Sequence, residues 1–127
     1  MSAPGDLKQQ VAGAVDRLAG DLEALSHKIH DNPELCFQEE RAHGWLTEFL
    51  DKHGVRVERG VGGLPTAFRA TIDGAGAGPT IAIMAEYDAL PSIGHACGHN
   101  VIATAGTGAG AALAVALGTL PSRAGSR

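Results

Sequence analysis

Aromatic residues and cysteines are scarce in this sequence. Its 127 residues include three Phe, one Tyr, one Trp and two Cys, but 18 Gly. With so few rings, the core has to be built from Ala, Val, Leu and Ile packed closely against glycine. Two distant cysteines, Cys36 and Cys97, exclude a disulfide-rich secreted fold and favour a reducing, cytoplasmic setting. We expect Cys36 to be a buried thiol beside Phe37, with a disulfide to Cys97 as the minor alternative.

Long runs of charge are absent as well. Ten basic and 14 acidic side chains give a formal net charge of -4 with no basic patch. Neither nucleic acid nor an anionic membrane is therefore an expected partner. Residues 1–6 lack the charged and apolar regions of a secretory signal. At 127 residues, the chain is expected to form at most one domain with a modest core.

Two amphipathic helices are predicted in the N-terminal part. The first has apolar residues spaced by three and four, and it ends before Asn32–Pro33 because the residue preceding a proline avoids helical geometry. Its stripe consists of Leu7, Val11, Val15, Leu18, Leu22, Leu25 and Ile29. The second helix follows the acidic pair Glu39–Glu40 and stops at Gly54. Its stripe consists of Ala42, Trp45, Leu46, Phe49 and Leu50.

Strands and a third helix are predicted after Gly54. Apolar and polar residues alternate over 55–61 and 66–72, which is typical of half-buried strands. The run Thr80–Ala85 is apolar on both faces and predicts an inner strand covered by helices. Residues 101–117 predict a small-residue helix; a membrane span is the alternative, but the run falls short of about 20 residues. The predicted fold class is therefore α/β, with two N-terminal helices, a mixed β-sheet and a small-residue helix.

A cluster of potential metal ligands follows the inner strand. Cys97 and His99 are separated by one glycine, which lets both side chains turn toward one borderline-soft cation such as zinc. Asp88 is placed to accept the free ring N–H of His99 and so to hold its tautomer. Two roles stay open: Glu86 either binds the metal or supports a ligand, and His95 is a third ligand only if its loop brings it close.

Other histidines and acids are expected to be structural or solvated. His27 and His30, near the end of the first helix, are expected to be solvated or to cap helix carbonyls rather than to bind metal. Glu34 and Glu39 are expected to be solvated acids around a turn. The glycine-rich stretch 74–79 is expected to be a loop, because it lacks the following helix and the lysine of a phosphate site.

Three segments, taken in order, resemble one enzyme family. They are HDNPELCFQEE at 30–40, AEYDALP at 85–91 and HACGHN at 95–100. Together they are similar to the N-terminal part of the zinc-type amidohydrolases related to hippurate hydrolase, auxin-conjugate hydrolases and p-aminobenzoyl-glutamate hydrolase. Asn100 resembles the p-aminobenzoyl-glutamate and dipeptidase-like subgroup, whereas hippurate-type members commonly have aspartate there.

The resemblance implies a site and a reaction. Cys97 and His99 would bind divalent metal in a two-ion centre of zinc, manganese or cobalt, with the Cys97 sulfur bridging both ions. Asp88 would be the catalytic-site aspartate that orients the metal cluster. The reaction would be metal-assisted hydrolysis of an amide bond in a small-molecule substrate. Substrates of this type are N-acyl amino acids, dipeptides and aminobenzoyl-glutamate-like compounds.

The resemblance also implies a domain organisation. Residues 1–120 would be the N-terminal portion of a metallo-amidohydrolase catalytic domain with a phosphorylase/hydrolase-like fold, and 121–127 a disordered tail. The family's general-base glutamate, its neighbouring ligand glutamate, two later ligand histidines and the lid domain used in dimerisation match nothing in this sequence. We therefore expect the 127-residue chain to be a truncated piece with weak activity or none.

Two other functions stay open at this point. The chain is alternatively a non-catalytic module that forms a homo-oligomer or pairs with a longer homologue through an uncovered sheet edge. A third alternative is a small metal- or thiol-reactive domain that uses His95, Cys97 and His99 alone.

Overall fold

The computed structural model describes residues 4–74 and 76–118. These residues form three helices and a two-stranded antiparallel sheet, so the α/β class is confirmed. The elements are α1 (Pro4–His30), α2 (Glu40–Lys52), β1 (Arg56–Arg59), a short 3₁₀ turn (Val61–Gly63), β2 (Phe68–Thr71) and α3 (His99–Ala116). The predicted tail at 121–127 lies outside the described residues.

The first helix ends where the sequence predicts. Its last residue is His30, and the side-chain amide of Asn32 donates to the carbonyl of Lys28 at 2.9 Å, which satisfies one of the free carbonyls of the last turn. His30 is exposed, as expected for a solvated residue, and its Nδ1 lies 3.1 Å from the carboxylate of Asp31.

The second helix is capped from outside by Glu34. Both carboxylate oxygens of Glu34 accept backbone amides of the first turn, from Arg41 at 3.0 Å and from Ala42 at 2.9 Å. These amides have no partner within a helix, and a negative charge is favourable at this end. Glu34 is therefore a capping residue with a side chain only 10% exposed, and its prediction as a solvated acid is wrong.

The third helix packs mainly against α1. Its small residues make this possible, because a Cβ added at Gly108 would lie 2.6 Å from a methyl of Leu22. The buried side chain of Asn100 donates to the hydroxyl of Ser26 at 3.0 Å and joins the start of α3 to α1. In the part of the chain that the structure describes, no helix is long and apolar enough to cross a membrane, so the spanning alternative is not supported.

The core lies where the three helices and the sheet meet. Ile29, Leu46 and Thr47 are its largest fully buried side chains, and the Thr47 hydroxyl donates to the carbonyl of His43 at 2.8 Å. β1 pairs antiparallel with β2, with Val57 opposite Ala70. The remaining buried apolar residues of this cluster are Leu25, Ala42, Phe49, Leu50, Val55, Ala103, Ala111 and Ala114.

The predicted inner strand Thr80–Ala85 does not form in this structure. The run has no ladder partner, and Ile81 and Met84 are 84% and 80% exposed. The apolar residues of the run fit a buried strand. A strand also needs neighbouring strands that form hydrogen bonds with its backbone, and apolar content does not provide them. The only sheet among the described residues is β1–β2, so the prediction of a mixed sheet is also wrong here.

The predicted burial of Cys36 is wrong as well. Cys36 is a free, exposed thiol, and Phe37 beside it is 71% exposed. Both are the central residues of a turn in which the amide of Gln38 donates to the carbonyl of Leu35 at 3.0 Å. A surface turn directs its central side chains outward, which overrides the usual preference of cysteine for the interior.

Candidate metal centre

The residues of the predicted site come from the chain between β2 and α3. This segment is joined to the connection between α1 and α2, where the amide of Ala89 donates to the carbonyl of Glu34 at 2.7 Å. Gly98 precedes α3 with a left-handed φ of 79°, a conformation that only glycine adopts without cost. His99 is thus the first residue of α3, two positions earlier than predicted, and Cys97 lies just before the helix.

His99 is held by Asp88 as predicted. Its Nδ1 lies 2.8 Å from Oδ1 of Asp88 and 2.9 Å from the backbone carbonyl of the same residue. Both atoms are acceptors, so Nδ1 has to carry the proton and donate it. The lone pair of a neutral ring is then on Nε2, the tautomer that metal-binding histidines adopt when a carboxylate holds the other nitrogen.

Glu86 approaches the other edge of the same ring. Its Oε2 lies 3.2 Å from Nε2 of His99, while its side chain stays 59% exposed. Glu86 and Asp88 therefore lie at the two different ring nitrogens of His99. The His99 ring is only 15% exposed, so its orientation is well defined by these two neighbours.

Cys97 is an exposed free thiol, two residues before His99 in the sequence. Among the described residues, no three His, Cys, Asp or Glu side chains are already gathered closely enough to hold a metal ion. The donor types nevertheless fit a divalent ion, because a thiolate, an imidazole and a carboxylate are the ligands that zinc takes in proteins.

His95 is buried rather than presented to solvent. It is 8% exposed, and neither of its ring nitrogens has a hydrogen-bond partner among the described residues. Burial lowers the pKa of His95, and the nearby charges of His30 and His99 lower it further. The ring of His30 lies 6.3 Å away from it, centre to centre. The sequence pattern offered His95 as a ligand, but nothing in this geometry gathers it with Cys97.

Sequence reasoning missed a buried network beside the site. Glu39, expected to be solvated, is only 9% exposed and accepts a hydrogen bond from the hydroxyl of Thr66 at 2.8 Å. The Tyr87 hydroxyl donates to the backbone carbonyl of Thr66. Burial, assisted by the charge of Glu39, raises the pKa of Tyr87 to about 12. The partners are 21 and 27 residues apart, so no local pattern could have revealed them.

A cavity lies between this network and the carboxylates Glu86 and Asp88 beside His99. Its volume is about 370 Å³. Glu39 and Tyr87 line one part of it, and Glu86 and Asp88 line another. The space therefore adjoins the carboxylates that bracket His99, and it places an aromatic ring next to the candidate centre.

The fold and the candidate site by themselves indicate a class of protein. The molecule is a small α/β unit that presents an imidazole, two carboxylates and a thiol at the beginning of a helix. These are the donor types found at the metal centres of hydrolases.

Comparison with known proteins identifies the family. No protein-family model matches the chain. The Xaa-Arg dipeptidase of Mus musculus is 45% identical over 119 residues, which are 87% of this chain and 28% of that protein. Thermostable carboxypeptidase 2 of Saccharolobus solfataricus is 36% identical over 109 residues, 75% of this chain and 28% of that protein. One of the chains of the p-aminobenzoyl-glutamate hydrolase of Escherichia coli is 36% identical over 98 residues, 64% of this chain and 20% of that protein.

The chain belongs to the family of amidohydrolases and peptidases that these proteins represent, and the resemblance found in the sequence is confirmed. It spans less than a third of the length of each of these relatives. The metal-binding roles of Cys97 and His99 and the orienting role of Asp88 stay predictions.

Proposed function

We propose that this chain is part of a metal-dependent hydrolase that cleaves an amide bond next to an amino acid. The relatives are named for a dipeptide, for carboxy-terminal residues and for p-aminobenzoyl-glutamate, and all three substrates contain such a bond. The observation that most supports the proposal is His99, whose Nδ1 is held by Asp88 while its Nε2 is left to bind a metal.

Three side chains of this chain have separate tasks in the proposal. Cys97 and His99 bind a divalent metal, and Asp88 keeps His99 in the right tautomer. The ion would polarise the scissile carbonyl and lower the pKa of a water molecule. The cavity beside Glu86 and Tyr87 leaves room next to the centre for a small-molecule substrate. The resemblance implies a family site with two ions and further ligands, so the 127-residue chain by itself is proposed to be weakly active or inactive.

Cobalt binding to the purified chain tests the site. Cobalt bound to a thiolate has a ligand-to-metal charge-transfer absorption, which reports the sulfur directly. We expect this absorption in the parent chain and its loss in Cys97→Ser. Cys36→Ser is the matched control, because Cys36 is also an exposed free thiol but lies outside the motif. An unchanged absorption in Cys97→Ser would refute the thiolate ligand.

Activity measurements test the second half of the proposal. The chain is incubated with N-acyl amino acids, with a dipeptide ending in arginine and with p-aminobenzoyl-glutamate, with and without added zinc, manganese or cobalt. We expect little or no release of the amino acid. Turnover at ordinary enzyme rates that a chelator abolishes would show that the chain is a complete catalyst and would contradict its assignment as an incomplete one.

A second candidate function is pairing with another chain. The apolar run Thr80–Ala85 is largely exposed and has no ladder partner among the described residues, so its backbone is available to add to another sheet edge. In this proposal the partner is a second copy or a longer homologue. Light scattering after size exclusion, alone and with a full-length relative, distinguishes the cases. A monodisperse monomer under both conditions contradicts the pairing role.

A further inference from the structure

We propose that Tyr87 is a positioning residue, which fixes Asp88 beside His99 by anchoring the chain to the start of α2. The proposal rests on the role proposed above for Asp88 and adds the residue that places it. Asp88 lies in a stretch of chain between β2 and α3 that belongs to no helix or strand. Its position therefore depends on contacts made by its neighbours along the chain.

The first anchor is the side chain of Tyr87. Its hydroxyl donates to the backbone carbonyl of Thr66, and the Thr66 hydroxyl donates in turn to Oε2 of Glu39 at 2.8 Å. Glu39 directly precedes α2 and is only 9% exposed, so its carboxylate needs this donor. The Tyr87 ring also stacks on Phe68 of β2, with the ring centres 6.0 Å apart. Tyr87 is thereby joined to β2 by its ring and, through Thr66, to α2 by its hydroxyl.

The second anchor lies on the other side of Asp88. The amide of Ala89 donates to the backbone carbonyl of Glu34 at 2.7 Å, and the Glu34 carboxylate caps the first turn of α2. The residues on both sides of Asp88 are therefore joined to the beginning of the same helix. Between these two fixed neighbours, Oδ1 of Asp88 lies 2.8 Å from Nδ1 of His99.

The chain that leads into this segment supplies no ladder to hold it. The run Thr80–Ala85 has no ladder partner among the described residues, and Ile81 and Met84 are largely exposed. A strand is held by backbone hydrogen bonds to its neighbours, and this run lacks them. The side-chain anchor at Tyr87 therefore does what a ladder would do in a strand, and it fixes the chain just before Asp88.

Hydrogen exchange of the full chain, kept metal-free by a chelator, tests the anchor. Tyr87→Phe keeps the ring and its stacking on Phe68 but removes the hydroxyl. The Ala89 amide should then open more often and exchange about five- to tenfold faster, the effect of one lost hydrogen bond. Thr47→Val is the matched control, because Thr47 is also buried and donates its hydroxyl to a carbonyl, that of His43 within α2. It should leave exchange at Ala89 within twofold of the parent chain.

Two substitutions at Thr66 separate positioning from packing. Thr66→Val keeps the shape of the side chain and removes the donor to Glu39, so exchange at Ala89 should rise as in Tyr87→Phe. Thr66→Ser keeps the donor and should bring exchange back to within twofold of the parent chain. Unchanged exchange in Tyr87→Phe, or an equal rise in Tyr87→Phe and Thr47→Val, would overturn the positioning role.

Cobalt binding distinguishes this proposal from the proposed function. If the parent chain binds cobalt, Tyr87→Phe should bind it about three- to tenfold more weakly, because Asp88 holds His99 less firmly. Equal affinity of the two chains would show that the anchor does not act on the site. If the parent chain binds no cobalt, the proposed function is refuted, and the exchange measurements alone decide whether Tyr87 places Asp88.

Discussion

At the scale of single residues, the candidate centre depends on how polar side chains are paired. His99 has a carboxylate on each side, and Glu39 and Glu34 are removed from solvent by hydrogen bonds to Thr66 and to the first amides of α2. A buried carboxylate is stable only when such donors surround it. These pairings determine which acids are available to a metal and which are structural.

Removing the side chain of Asp88 should weaken metal binding. In Asp88→Ala the ring of His99 loses one of its two acceptors, so its orientation and tautomer are less well held. The expected loss of zinc affinity is about 10- to 100-fold, the usual effect of deleting a carboxylate behind a metal-binding histidine. Chelator competition measures it. Asp73→Ala, an exposed aspartate outside the motif, is the control, and equal affinities for both variants would contradict the orienting role.

Tyr87, beside the candidate metal centre, should lose its hydroxyl proton only at unusually high pH. Burial and the charge of Glu39 raise the pKa of Tyr87 from its ordinary value of 10.0 to about 12. Because the folded value lies above the unfolded one, stability from this residue is complete below pH 10 and is lost as the pH rises toward about 12. Tyr87 is the only tyrosine, so tyrosinate absorbance reports it alone.

Two variants separate the causes of that pKa. Glu39→Gln removes the charge but leaves the burial, so the pKa of Tyr87 should fall below about 12 and stay above 10. Glu40→Gln, at the neighbouring exposed position, should leave the titration as it is. A Tyr87 that titrates identically in the parent chain and in Glu39→Gln would exclude an electrostatic contribution from Glu39. Circular dichroism at each pH separates titration from unfolding.

At the scale of elements, the contact between α3 and α1 determines the position of His99 in the candidate metal centre. A helix rich in glycine has a weak intrinsic preference for its own structure, and it is stabilised by the close approach that its small residues permit. Gly108 lies against Leu22, and the Asn100–Ser26 hydrogen bond joins the two helices directly beside His99. The start of α3, and with it His99, is therefore positioned by α1.

Two alanine substitutions in α3 should have opposite effects. Gly110→Ala has room, since the nearest atom would be 4.0 Å from the new Cβ, and it should stabilise the fold by up to about 1 kcal/mol. Gly108→Ala places a methyl 2.6 Å from Leu22 and should be less stable than Gly110→Ala by about 1–3 kcal/mol. Urea unfolding measures both.

The double variant identifies the cause of that difference. Leu22→Ala removes the methyl groups that a side chain at residue 108 would meet, so Gly108→Ala should cost less in the Leu22→Ala background than in the parent chain. Equal costs in both backgrounds would show that the effect of residue 108 does not pass through Leu22.

At the scale of the whole molecule, a substantial apolar surface is exposed. Besides Ile81 and Met84, the exposed apolar side chains include Ile83, Ile93, Val101 and Ile102. Exposed apolar surface of this kind usually marks an interaction site. The chain also spans only part of the length of its relatives, in which further chain is available to contact such a surface.

A lysine in the exposed run should reduce association without unfolding the chain. Ile81 is 84% exposed, so Ile81→Lys should change the free energy of unfolding by no more than about 0.5 kcal/mol. A charge within an apolar run opposes its addition to a sheet edge, so the variant should be less associated than the parent chain at the same concentration. Sedimentation velocity measures the association.

Val115→Lys is the control for that experiment. Val115 is an exposed apolar residue of α3 outside the run, and its replacement should leave association unchanged. If both lysine variants lower association equally, general hydrophobicity rather than strand pairing is responsible.

Local patterns predicted the helices and the pairing of His99 well. The stripe spacing and Asn32–Pro33 gave α1 its end within two residues, and the order of residues in the motif placed Asp88 against the His99 ring. Two failures concern the burial of apolar residues. Cys36 was expected inside and lies in a turn, and the run Thr80–Ala85 was expected in a sheet and has no strand beside it.

The sequence by itself determined the family, the helices and the α/β class, and it predicted which residues bind a metal, because composition, periodicity and short motifs are local properties. Only the tertiary structure decided that Glu34 and Glu39 are structural acids, that His95 is buried, and that Glu86 and Asp88 take opposite edges of one imidazole. The physical reason is that folding decides which residues are buried and which form hydrogen bonds with each other. The partners come from different parts of the chain, so no local sequence pattern identifies them.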